Sequence, residues 1–363
     1  MLTIESNNLN QLRSWGWDDH WSDQAAHLST DHKQPGRIRG QNSDLWMVET
    51  AQGTQQTRKP SSKRSEYAPV VGDWVIVEPG PTETDPWSIQ EILPRRSYLS
   101  RGAAGDGRSE QILAANIDRI WIVQGLDTGL NLRRLERYLA VAWDSGAIPE
   151  IILTKTDLEP NLDQVAADIS IIAAGVDVRY VNNFDVENIL ELRESVAEGT
   201  TICLIGPSGV GKSTLVNSLS EAEVAEIGDV RAGDHKGRHT TTRRELFRIP
   251  GGACLIDTPG IRELRLWAMD DGLSHAFPEI EAIAVDCRFS DCKHGSEPGC
   301  AVVAAVESGE LDEDRLHSYR KLQAEADYEK RKGDPRARAA KVSEWKSIRK
   351  SMKDHPKHKN RSR

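Results

Sequence analysis

Long apolar runs are missing from this chain. Nowhere in its 363 residues do about 18 consecutive apolar residues occur, the length that a membrane-spanning helix needs. The opening stretch Met1–Asn8 has neither a basic segment nor an apolar one, so it does not read as a secretory signal. Cysteine is scarce as well: five in all, with three crowded between 287 and 300, do not make an even extracellular disulfide framework. These shortages lead us to expect a cytoplasmic protein with no membrane partner. Positive charge is scarce over most of the length. The net charge is −9, yet residues 330–363 hold 14 Lys/Arg against 3 Asp/Glu, a local +11, so residues 1–329 carry −20. An acidic body with a basic tail points the tail at a polyanion; a solvated arm without a partner is the plainer alternative.

What is present is dominated by one stretch. Gly206, Pro207, Ser208, Gly209, Val210, Gly211, Lys212, Ser213 and Thr214 match G-x-x-x-x-G-K-[ST]. The apolar run Thr201–Ile205 before it reads as a buried strand, and Leu215, Val216 and Leu219 after it fall at helical spacing. In that strand–loop–helix context, backbone N–H groups converge on phosphate oxygens at a helix N-terminus. Lys212 is expected to reach the β- and γ-phosphates, and Ser213 to hold Mg²⁺. The chain is thus expected to bind a nucleoside triphosphate with Mg²⁺.

Two further motifs follow apolar strands. Ile151–Leu153 runs into Thr154, Lys155, Thr156 and Asp157, which looks like the guanine-reading N-K-x-D of GTPases. Asp157 would accept from the guanine N1–H and 2-amino group, and the Lys155 stem would lie across the base. Asp257-Thr-Pro-Gly260 resembles the D-x-x-G switch, with Asp257 holding Mg²⁺ through water and the Gly260 N–H sensing the γ-phosphate. Three motifs at the ends of strands converge where ligands bind in open α/β sheets. The base reader precedes the phosphate loop, the reverse of the Ras-like order, so the domain reads as circularly permuted.

The rest of the chain is divided by composition. Residues 1–35 form a polar extension with Trp15, Trp17 and Trp21. The last two, four apart, would share one helix face that docks on the next domain or, alternatively, stacks bases. Residues 36–99 show short strands at Arg37–Gly40, Asp44–Glu49, Asp73–Glu78 and Trp87–Leu93, with Thr50–Ser65 as a polar loop, which suits a small OB-type barrel. Such a barrel serves equally as a spacer or as an RNA platform. After a Gly-rich linker at Arg101–Arg108, strands and helices alternate through residues 108–275 as a P-loop domain with a parallel sheet. Residues 276–334 contain Cys287, Cys292, His294 and Cys300, three thiolates and an imidazole within fourteen residues. Soft ligands so close select one structural Zn²⁺, whose binding would drive folding of the segment. Residues 335–363 are the basic tail. The expected class is thus α/β multidomain: a small OB-type β-barrel, a circularly permuted P-loop GTPase domain and a zinc-binding α-helical C-terminal domain.

Over about residues 36–330 the chain resembles the circularly permuted bacterial ribosome small subunit-dependent GTPase A family. The likeness is carried by Leu113-Ala-Ala-Asn-Ile-Asp118, Asn131-Leu-Arg-Arg-Leu-Glu-Arg137, Gly206–Thr214, Gly237-Arg-His-Thr-Thr-Thr242 and Asp257–Gly260. The resemblance implies a GTPase that acts on the small (30S) ribosomal subunit and its 16S rRNA late in assembly, hydrolysing GTP to GDP and phosphate; a monomer is our separate expectation. The resemblance also implies zinc on the same Cys/His pattern. Gly237–Thr242 falls where switch I belongs, with Thr241 or Thr242 completing the Mg²⁺ shell. Ile261 stands where Ras-like enzymes carry the water-orienting glutamine, so His239 or a partner must supply that group. His239 has a plainer reading as a solvated loop histidine. Two positions depart from the family pattern. Thr154 replaces an asparagine whose amide braces the phosphate loop, and Val181-Asn-Asn183 replaces the small segment behind the base. Two rival readings are a P-loop small-molecule kinase and a nucleotide-gated RNA-binding module with negligible turnover.

Overall fold

The structure, a computed structural model, describes residues 11–28, 32–42, 44–58, 68–82, 84–102, 110–221, 244–257 and 271–333. The chain divides into two compact units, one of residues 1–100, 112–264 and 271–281 and one of residues 101–111, 265–270 and 282–363. The phosphate loop lies in the first unit and the cysteine cluster in the second.

In the first unit, β1 (Gln34–Asn42), β2 (Leu45–Thr50), β3 (Gly53–Arg58), β4 (Trp74–Glu78) and β5 (Trp87–Ile92) close into a barrel. The order is β1-β2-β3-β5-β4 and back to β1, with only the β3–β5 contact parallel. Alternation puts Ile38, Trp46, Val48, Val75, Val77 and Ile89 inside, each buried apolar side chain contributing about 1.5–3 kcal/mol. The polar loop expected over Thr50–Ser65 is corrected at Gly53–Arg58, which is β3. Its residues are polar and only Thr57 is buried, so no apolar period announces it; the ladders to β2 and β5 are made by backbone.

The shared helix face expected for Trp17 and Trp21 is also corrected. Asp18 caps α1 (Asp19–Ala25), its side chain accepting from the Trp21 N–H, so Trp17 lies outside the helix. Both indoles nevertheless pack on Trp74 of the barrel, with ring centroids 4.9 Å and 6.1 Å away. Arg39 lies over Trp15 and Arg96 over Trp21. The buried Arg37 donates to the carbonyls of Trp15, Gly72 and Asn116, and burial pulls its guanidinium pKa down. The expected linker at Arg101–Arg108 begins within a strand: β6 (Tyr98–Gly102) and β7 (Glu110–Ala115) form a ladder of their own.

Asn116 follows in a left-handed conformation, its amide donating to Gly72 and its Oδ1 accepting from the Arg96 N–H. Two residues on, Asp118 accepts from the Thr201 N–H at 2.7 Å. The Leu113–Asp118 segment is therefore a joint between the barrel and the sheet that follows.

That sheet contains β8 (Arg119–Gly125), β9 (Ile148–Thr154), β10 (Asp177–Val181), β11 (Thr201–Ile205), β12 (Glu245–Arg248) and β13 (Cys254–Asp257). Its order is β10-β9-β8-β11-β13-β12, parallel except for β12, and β12 meets β1 at the pair Gly40 and Glu245. Helices α2 (Leu132–Asp144), α3 (Leu162–Ile172) and α4 (Val186–Glu194) connect parallel strands, and α5 (Lys212–Ser220) follows β11. α2 starts on the Asn131 cap, whose side chain accepts from the Arg134 N–H, and Gly146 follows its end at φ +80°. α6 (Asp271–Ala276) packs on α2 so closely that a Cβ at Gly272 would overlap the Ala140 carbonyl. β9 and β11 are buried almost throughout, the pattern of strands covered on both faces.

The second unit holds α8 (Ala301–Ser308) and α9 (Glu313–Gly333), preceded in the chain by α7 (Pro278–Ala284). Val302, Ala305, Leu311, Leu316, Tyr319 and Leu322 form its buried apolar set. Among the described residues no helix is long and apolar enough to cross a membrane.

Candidate nucleotide site and metal centre

The chain steps from β8 outward to β9 and β10, then returns to β11 on the opposite side of β8. This reversal makes a crevice beyond the C-terminal ends of β8 and β11, where open α/β sheets hold ligands. Gly206–Gly211 leaves β11 there. Gly206 has φ +145°, and a Cβ on it would overlap the Val123 carbonyl of the neighbouring strand. Gly211, at φ +91°, is the N-cap of α5, so the loop delivers its backbone N–H groups to a helix start. Lys212 Nζ donates to the carbonyls of Gly206 (2.8 Å) and Pro207 (2.5 Å), folding the ammonium over the loop. Ser213 and Thr214 are half-buried in the first turn of α5. Ser208 and Gly209 are exposed at the loop tip and Val210 is buried beneath it.

The end of β9 reaches the same loop. Thr154 is fully buried and its Oγ1 donates to the Val210 carbonyl at 2.5 Å. Residue 154 thus lacks the asparagine amide, and its hydroxyl holds the loop instead. Lys155 adopts φ +58°, which turns its side chain back, and Nζ bridges Asp127 Oδ2 (2.7 Å) and the Gly209 carbonyl (2.8 Å). Thr156 and Asp157 enter a short 3₁₀ turn, Thr156–Leu158, where the Asp157 carboxylate is exposed and open to a base.

Asp127, in the loop after β8, is marked by no motif, and Asn183, in the segment expected behind the base, instead donates from Nδ2 to the Gly211 carbonyl at 3.0 Å. Both follow the C-terminal ends of parallel strands, the placement shared by the motifs, and that was the available signal. β13, the parallel neighbour of β11, ends at Asp257 on the same sheet edge. His239, Thr241, Thr242, Gly260, Ile261 and the tail 335–363 lie outside the described residues.

If Asp157 reads the base, Asp157→Asn will weaken GTP about tenfold to a hundredfold, the worth of a charge-assisted hydrogen bond. It will also improve xanthosine nucleotides relative to GTP. Competition binding with GTP, XTP and ATP checks this; unaltered GTP preference would refute the assignment.

In the second unit Cys287, Cys292, His294 and Cys300 bring their ligand atoms within 4.8 Å of one another. Cys287 Sγ lies 3.9 Å from Cys300 Sγ and 3.6 Å from His294 Nδ1, and Cys300 Sγ lies 3.5 Å from that nitrogen. A tetrahedron with Zn–S near 2.3 Å has edges of about 3.5–3.8 Å, so the donor set fits zinc. His294 sits at φ +56°, which aims Nδ1 inward, and its ring packs 6.0 Å from that of Tyr319. Cys300 caps α8, accepting from the Val303 N–H. Glu297 accepts from the N–H groups of Gly295 and Lys293 and holds the turn between the ligands.

Comparison with known proteins decides the family. The RsgA GTPase family model matches residues 92–267. A relative from Opitutus terrae, named small ribosomal subunit biogenesis GTPase RsgA, is 40% identical over 351 residues, covering 93% of this chain and 95% of its own. The chain belongs to the RsgA GTPase family. A relative of the same name from Streptomyces coelicolor is 42% identical, over 95% of this chain and 94% of its own. Among solved structures, YjeQ from Thermotoga maritima matches with TM-score 0.61 and 25% identity, covering 81% of this chain and 98% of that one. YloQ, described as a circularly permuted GTPase, matches the fold with TM-score 0.61 at 24% identity, over 82% and 96% of the two chains. RsgA family members are GTPases, hydrolases acting on GTP, and the family implies Mg²⁺ with the nucleotide. The permuted order is visible in the chain itself, where β9 and its base-side turn precede β11 and the phosphate loop.

Proposed function

We propose that this protein hydrolyses GTP to GDP and phosphate on the small ribosomal subunit, late in that subunit's assembly, and that the subunit stimulates the reaction. The observation that carries the reading is the meeting of Thr154–Asp157 with Gly206–Thr214 across one crevice, base side against phosphate side. Asp157 and the Lys155 stem select guanine. The loop N–H groups and Lys212 neutralise the phosphates, and Ser213, Asp257 and one of Thr241 and Thr242 hold Mg²⁺, which polarises the γ-phosphate. The Gly260 N–H senses that phosphate. GTP holds the protein on the subunit and its 16S rRNA, and the GDP form leaves.

The barrel at 36–99, the GTPase domain at 108–275, the zinc segment at 276–334 and the basic tail at 335–363 divide the work. The first and last two contact RNA, and one structural Zn²⁺ on Cys287, Cys292, His294 and Cys300 shapes the third. The relatives' printed names support the ribosomal assignment. We place the protein in the cytoplasm as a monomer. A phosphate-loop kinase would need an acceptor pocket that no motif supplies, and a non-hydrolysing RNA module does not suit a family of GTPases.

Phosphate release with GTP, with ATP and with GTP plus small subunits tests this reading. Small subunits should accelerate GTP turnover more than about tenfold, since activators of other GTPases reach ~10⁵-fold. Fast turnover indifferent to the subunit would refute the reading. His239→Ala assigns the missing water-orienting group. Loss of stimulation with unaltered GTP affinity marks a contact made only in the transition state. Retained stimulation assigns the group to the ribosome.

A further inference from the structure

We propose that Asn183 is a positioning residue of the phosphate loop, supplying from the loop after β10 the amide that residue 154 does not have. The inference rests on reading Gly206–Thr214 as the phosphate cradle.

Thr154 has one hydroxyl hydrogen. Oγ1 lies 2.5 Å from the Val210 carbonyl and 3.5 Å from that of Gln124, so the bond goes to Val210. The next carbonyl, that of Gly211, accepts from two donors: the Leu215 N–H at 2.8 Å, which is the first bond of α5, and Asn183 Nδ2 at 3.0 Å. Peptide planarity turns these bonds into control of the cradle. Pinning the Val210 carbonyl fixes the Gly211 N–H in the same plane, and pinning the Gly211 carbonyl fixes the Lys212 N–H. Thr154 and Asn183 together therefore orient two consecutive N–H groups at the mouth of α5, where phosphate oxygens are held.

Asn183 is itself fixed. It is 7% exposed, and its main-chain carbonyl accepts from Ser218 Oγ of α5 at 3.0 Å. The fit is tight enough that a Cβ on Gly211 would lie 2.8 Å from Asn183 Nδ2. Its Oδ1 is buried without a hydrogen-bond partner among the described residues. An unsatisfied buried acceptor is unfavourable, so stability alone would be better served here by an apolar side chain. The bond to the Gly211 carbonyl accounts for an amide at this position.

The test measures dissociation of a fluorescent GDP from the full-length protein. Asn183→Ala should raise the Kd at least about tenfold, mainly through faster release. Asn183→Asp, of the same shape but with no donor, should do the same, so the proposal remains testable if the alanine variant misfolds. Thr154→Asn in the Asn183→Ala background should restore Kd to within about threefold of the unaltered protein's. That rescue is what a merely structural role would not produce. Wild-type affinity in both Asn183 variants overturns the proposal and leaves the cradle reading intact, as does weakening that Thr154→Asn fails to rescue. Absence of GDP binding by the unaltered protein would remove the cradle reading itself.

Discussion

Lys212→Ala is expected to lower kcat/KM for GTP by about a hundredfold or more, and to weaken GTP binding with it. The ammonium is drawn over the loop by the carbonyls of Gly206 and Pro207, which are acceptors at the β11 end of the crevice. On the proposed reading it would face polyphosphate charge beside the buried Val210 and the buried strand end Leu204–Ile205. Two unit charges about 4 Å apart near a protein surface interact by about 4 kcal/mol, and each 1.4 kcal/mol is a tenfold change. Because the phosphates carry charge in the ground state as well as in the transition state, both binding and rate must fall. Lys212→Arg keeps the charge on a wider, planar group that the narrow loop does not fit, so it should recover little. Single-turnover hydrolysis and GTP titration measure the two effects separately. Retention of wild-type kcat/KM would mean that the phosphates lie elsewhere.

Removing zinc is the second large effect. Cys292→Ala, or a strong chelator, should unfold much of the second unit while leaving GTP binding mostly intact. The ligand atoms stand at tetrahedral edge distances, and His294 and Cys300 are buried, His294 beside Tyr319 of α9. Three thiolates at that spacing would repel one another unless a cation sat among them. Structural zinc in small finger peptides contributes roughly 10–16 kcal/mol of apparent binding free energy, more than a segment of this size collects from its apolar set. Elemental analysis of the purified protein should give one zinc per chain. Hydrogen exchange across residues 287–326 should rise to unprotected rates in Cys292→Ala. Metal-free protein with full protection there would overturn the assignment.

Local chemistry was legible in advance. The phosphate loop could be read from residues because its function requires glycines at backbone positions of positive φ and a lysine at fixed distance from them, and Gly206, Gly209 and Gly211 adopt such angles. The metal centre was legible for the same reason, since its ligands must be cysteine or histidine within a short loop. Alternating strands and helices foretold the parallel sheet, because strands buried on both faces are continuously apolar. β3 escaped notice because its pairing is backbone pairing and its side chains carry no period.

The sequence by itself determined which motifs are present: the glycine-rich loop Gly206–Thr214, the turn Thr154–Asp157, a cluster of soft ligands and their order along the chain. Tertiary structure decided which residues cooperate. Thr154 meets Val210, Lys155 meets Gly209 and Asp127, and Asn183 meets Gly211, across 28 to 56 residues of chain. No spacing rule links such partners, since they are brought together by the order β10-β9-β8-β11, which is set by the burial of whole strands. A hydrogen bond depends on tenths of an ångström, and only the packed sheet fixes distances that finely.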